Sequence, residues 1–531
     1  MRAALIRLFV RRMLAPEAAD TADATSRLTT LVAAAGGPGL VVAATGWFRL
    51  VINLLMRDPD PDAYARAVTG DRMLLVALAL CTSGLATAYL LDSLFPDQLD
   101  HENLGPLPLR SRDVLGARLV ALFVPALLVT ASAAVPPGLL HAFAMASGGA
   151  PEGFWRHLPS IVAALAAASF TAFLVVAGAG SLLILVPRAL ARMLTAPLQA
   201  ILVAVSVLLP FTFASRTTSA PFVALHAALL GHATHADLAR VRSAGLVALA
   251  GALALLAGFT ASARRYATGD FGAEATAWTA THGLFSRVTS FLLALVGRTG
   301  PERQALRLII PTLARSARHR RTVVIFAAGG TALAFAGLTF VEEGPAELLP
   351  FGLVAALHIA SFAMLVGFRT SFGTPLPAQP LETLRSMGGG DVDPPTLVLR
   401  ALVAIVVVPL TLLAGLGVGT TRGTAEGVGL AGAYALFGTA YAWMFASGFR
   451  RTPFAPGALV VDAPGPMLGI AGLLFGVYVG ILPAVVSSYG VPLAPFWLAA
   501  GVAAMAFALF HRGEEPVGGV EDGEVSMRLA E

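Results

Sequence analysis

The stretch "DVLGARLVALFVPALLVTASAAVPPGLL", Asp113 to Leu140, decides the fold. Beyond Arg118 it carries no charged side chain, and about 20 apolar residues are enough to cross the hydrocarbon core of a bilayer as a helix. Its Pro125, Pro136 and Pro137 fit kinks and close packing within a helix bundle. The pattern recurs along the chain. Twelve runs qualify by length, near residues 29–56, 72–94, 113–141, 159–186, 193–214, 241–261, 323–341, 350–368, 397–419, 427–448, 466–487 and 492–511. With 56% hydrophobic and 13% charged residues and a mean hydropathy of +0.77, the chain leaves no sizeable soluble domain. The expected fold class is all-α: a polytopic integral membrane protein of about 12 transmembrane helices.

All 36 basic residues are arginine. A P-loop, a kinase site and a Schiff base all require lysine, so the chain carries no nucleotide-binding motif of that kind, and "DFG" at Asp270 to Gly272 is coincidental. One cysteine, Cys81, excludes an internal disulfide and a cysteine metal cage. The basic start "MRAALIRLFVRRML" is expected to be an interfacial helix rather than a cleaved signal. With both termini cytoplasmic, 27 arginines fall in inner segments and 8 in outer ones, with Arg49 inside the first span. "PFVALHAALLGH", from Pro221, and "LFSRVTSFLLALVG", from Leu284, are too short to cross and are assigned to the interface or to re-entrant turns.

A 6+6 internal repeat is expected, since each half opens with a basic amphipathic segment and carries a proline-rich insert after its second span. Residues 1–261 form the first half, with the insert at 95–112. Residues 262–322 form a basic cytoplasmic linker, 323–511 the second half with its insert at 369–396, and 512–531 a cytoplasmic tail.

The first insert, "FPDQLDHENLGPLPLRSRD" from Phe95, gathers Asp97, Asp100, His101 and Glu102. Asp97 and His101 share a helical face, but the HExxH pattern is missing, and the prolines and leucines suit docking onto another protein better than metal or acid/base chemistry. Arg49 and His358 are the intramembrane polar candidates, while Asp92 and Arg118 lie near enough to the cytoplasm to be wetted. On the outer side His226, His232, His235 and Asp237 are weak metal candidates without a fixed fourth ligand, so the expected metal content is none.

"LFPDQLDHENLGPLPLRSRDVLGARLVAL" resembles the cytoplasmic loop of bacterial ABC-2-type and related ABC export permeases, and "LARSARHRRTVVIFAAG" and "FRTSFGTPLPAQP" are similar to other parts of the large twelve-span members. The resemblance implies a transport subunit without catalytic residues, energised by a cytoplasmic ABC ATPase subunit that binds ATP and Mg. This chain would hold no cofactor. It implies coupling contacts at Phe95, Asp97, Leu99, Asp100, Glu102, Leu104 and Arg110, and at Phe372, Leu376, Leu381, Leu384 and Arg385 in the second half. It also implies the bacterial inner membrane and export. The other partners expected are the lipid bilayer and, left open, a second copy in a homodimer; nucleic acid is not among them. An intramembrane lipid-modifying transferase or hydrolase, or an ATP-independent secondary transporter, stands as the alternative.

Overall fold

The computed structural model describes residues 2–14, 61–91, 98–147 apart from Pro108, 153–209, 220–268, 317–340, 349–374 and 394–449, with a few further residues outside these ranges. These are almost entirely helical, and no β-strand occurs among them. Among the described residues a first compact unit holds α1 (Arg2–Leu14), α2 (Pro61–Tyr89), α3 (Gln98–Leu104), α4 (Ser111–Ser147), α5 (Phe154–Leu182), α6 (Arg188–Leu208), α7 (Ala220–Leu229), α8 (His235–Thr268) and α9 (Ala317–Phe340). A second unit holds α10 (Leu349–Gly373), α11 (Pro394–Leu402), a π-helical turn (Val403–Val407), α12 (Val408–Arg422) and α13 (Thr424–Ser447).

Among the described residues, six stretches are long and apolar enough to span a membrane: Tyr64–Tyr89, Ser111–Ala146, Phe154–Leu182, His235–Thr268, Pro394–Thr420 and Thr424–Ser447. Each overlaps one of the twelve expected runs. Helices α6, α9 and α10 stand at three more, although the apolar part of α6, Leu194–Leu208, is short. The runs expected at 29–56, 466–487 and 492–511, and the stretch from Leu284, lie almost wholly outside the described residues. The helix expected to open the second half, α9, packs within the first unit against α6 and α2.

Helices are the form such apolar sequence must take, because in lipid every backbone N–H and C=O has to be satisfied within its own segment. Glycine then lets the helices touch. A Cβ on Gly251 of α8 would lie 2.8 Å from the carbonyl of Leu174 in α5, and one on Gly178 would lie 2.5 Å from the Gly251 oxygen. Where the backbones meet, the Ser181 hydroxyl donates to the Ala254 carbonyl at 2.7 Å. The opposite face of α8 presents Leu246, Leu249, Leu253 and Leu256, exposed in the protein alone and suited to acyl chains. In the second unit, Pro409 has no N–H for the carbonyl four residues back, and the helix widens into the π turn just before it. Gly423, at φ +100°, is the single residue between α12 and α13.

Candidate functional site: the anchored root of the first insert

The insert begins with α3, seven residues long. Asp100 and Leu104 occupy i and i+4 on it and so share a face, which points into the bundle. Asp100 is 1% exposed and its carboxylate pairs with the guanidinium of Arg118 on α4, itself 7% exposed. The Arg118 guanidinium also lies over the ring of Phe9 on α1, 5.3 Å from its centroid. Leu104 packs in the same apolar cluster as Leu5, Phe9, Val114 and Ala117. One residue along from Asp100, the His101 ring meets Tyr266 of α8 edge to face at 5.2 Å. Four elements, α1, α3, α4 and α8, are therefore tied together around one ion pair.

The other face of α3 is open. Glu102 and Asn103 are exposed, followed by Pro106, Leu107 and Arg110. The Leu107 side chain stands half in solvent beyond a tight turn in which the Gly105 N–H donates to the His101 carbonyl at 2.7 Å. Sequence reasoning expected Asp100 and Leu104 to be partner contacts and Arg118 to be wetted. All three are instead buried within the fold, because the apolar cluster under α1 claims that face. Phe95 and Asp97 lie outside the described residues, and of Leu99 only its place in α3 is described.

Phe372, the expected counterpart in the second half, is fully buried at the end of α10. Its carbonyl accepts from the Phe454 N–H at 2.7 Å, and the two rings are 5.3 Å apart. The side chain expected at a partner contact is thus buried within the second unit. The nearby Arg369 guanidinium lies 5.5 Å from the Phe445 ring centroid, so aromatic and arginine groups also brace the root of the second insert. Leu376, Leu381, Leu384 and Arg385 fall outside the described residues, as does Arg49. His358 is buried in α10 among Tyr434, Phe437 and Tyr441 of α13, with ring centroids 5.3 to 6.2 Å away.

The weak metal candidates separate into two groups. Helix α7 ends in a Schellman motif: Gly231 takes φ +85°, the His232 N–H donates to the Ala227 carbonyl at 2.9 Å, and the Gly231 N–H donates to Ala228 at 3.1 Å. Thr234 then caps α8. Its N–H and hydroxyl donate to the Asp237 carboxylate at 3.0 and 2.8 Å, while its own oxygen accepts from the Asp237 N–H at 3.2 Å. Asp237 is thus a capping-box acid, and His232 and His235 are exposed on the turn between two helices. No three His, Cys, Asp or Glu side chains among the described residues are placed to hold a metal. His226 turns the other way, into the bundle, beside His157. Replacing Thr234 with Ala is expected to cost about 1 kcal/mol in thermal unfolding, whereas His232→Ala and His235→Ala should each stay within about 0.5 kcal/mol.

Sequence reasoning missed Arg72, His141 and His157, which join His226. The signal was present: each is an ionisable residue at the edge of an apolar run, and such residues are costly there. No known protein family, characterised protein or solved structure matches this chain.

Proposed function

We propose that the chain is the membrane subunit of an ABC-type exporter, a duplicated twelve-span permease driven by a separate cytoplasmic ATPase. The observation that carries this reading is the division of α3 into an anchored face and an open one. Asp100 and Leu104 fasten the insert to α4 and α1, while Glu102, Leu107 and Arg110 are exposed to solvent. A loop that only needed to be soluble would not require a buried ion pair at its root. A loop that must pass force from a partner to the transmembrane helices does. In this reading the exposed charges orient the ATPase and Leu107 supplies an apolar contact. ATP and Mg belong to the partner, consistent with a sequence that lacks lysine. The N-terminus and both inserts face the cytoplasm of a bacterial inner membrane, as the arginine distribution favours.

The test is co-purification from the native host, followed by charge reversal at the open face. The Glu102→Arg, Arg110→Glu double variant should reach the membrane in normal amounts and lose at least tenfold in ATPase recovery. A chain that recruits no ATPase, or a double variant that recruits it unchanged, would overturn the reading.

A further inference from the structure

At the end of the first unit remote from α1 and α3, four helices bring nitrogen-bearing side chains together. Arg72 of α2 donates from Nε to Nε2 of His141 on α4 at 3.4 Å. His157 of α5 and His226 of α7 face one another with ring centroids 5.8 Å apart. His141 lies within electrostatic reach of Arg72, His157 and His226, and all three histidines are buried. One buried carboxylate, Asp71, sits beside Arg72 on α2. Among the described residues at this end, Asp62, Arg66, Arg156, His232, His235 and Arg240 are exposed, and Asp237 is engaged in the capping box.

Helix α7 is a short element at this end. It has ten residues, too few to span, and it ends at the left-handed Gly231. His226 is one of three described residues it buries, with Phe222 and Ala224, in its packing against α8, α5 and α2. Neutral histidines can be packed this way. Each proton added to His141, His157 or His226 places a further positive charge beside Arg72, in a setting where like charges repel strongly.

We propose that His141, His157, His226 and Arg72 form a proton-binding site that releases α7 from the first unit when the medium at that end acidifies. The site takes protons rather than a metal, since no three of its acids and histidines are placed as ligands. Its response is independent of whether an ATPase drives the protein.

The experiment uses the full chain in liposomes. Cys81→Ser removes the native thiol, and spin labels are placed at Leu229→Cys, exposed on α7, and Trp155→Cys, exposed at the start of α5. The interspin distance is measured from about pH 7.5 to about pH 3, a window that extends well below ordinary histidine titration. The expected result is a reversible change on the order of 5 Å, one helical turn, or an equivalent broadening. The His141→Gln, His157→Gln, His226→Gln triple variant should show none of it. If the triple variant does not reach the membrane, His226→Gln alone should lose at least half of the response. A distance that stays constant across the pH range in the parent, or a full response without the histidines, would overturn the proposal.

Discussion

Arg118→Ala should cost about 3–5 kcal/mol and free the first insert from the bundle. The magnitude follows from what the substitution leaves behind. Asp100 is 1% exposed, and removing Arg118 takes the paired guanidinium away from a buried carboxylate. Phe9 loses its cation contact at the same time, so α1 loosens together with α3. The measurement is thermal unfolding in detergent, paired with limited proteolysis at the exposed Arg110. A drop in midpoint and faster cleavage are expected together. Arg118→Met with Asp100→Leu, which removes both charges and keeps the volume, should recover most of the stability, because a buried pair replaced by apolar groups is often neutral. If Arg118→Ala unfolds at the parent's midpoint, the buried pair does not hold the insert.

Gly251→Val is expected to be the other severe change. Its Cβ would start 2.8 Å from the Leu174 backbone, a contact that no side-chain rearrangement relieves, so α8 has to move away from α5. The displaced surfaces include the Ser181 bond to Ala254, and the combined loss should reach about 3 kcal/mol or more. Cross-linking of cysteine pairs across the α5–α8 contact reads this directly: strong in the parent, weak in the variant. Gly245→Val, on the same helix with nothing within 4 Å, is the control and should leave the cross-link intact.

Much of the fold was legible because bilayer physics is a one-dimensional rule. A run such as that from Asp113 needs only to be counted, and among the described residues six such runs are spanning-length helices. The direction in which a short polar helix faces was not legible. Asp100 and Glu102 are both acidic and two residues apart, and composition alone makes both look like surface. What separates them is Arg118, 18 positions further on, and Phe9, far upstream. Only their convergence in space assigns one acid to the interior. The turn at Thr234 was within reach, since a threonine followed three residues later by an acid at the start of an apolar run is a capping signal. His226 fell into the wrong set because nearness in sequence joined it to His232 and His235, whereas the fold joins it to His157 and His141.

The one-residue link at Gly423 bears on how this protein is made. With one residue between them, α12 and α13 are expected to enter the bilayer together, as a hairpin whose backbones meet where Gly427 lies against Gly415 and Gly419. Their orientation during biosynthesis is then a single decision shared by both helices, and lengthening the link would turn it into two.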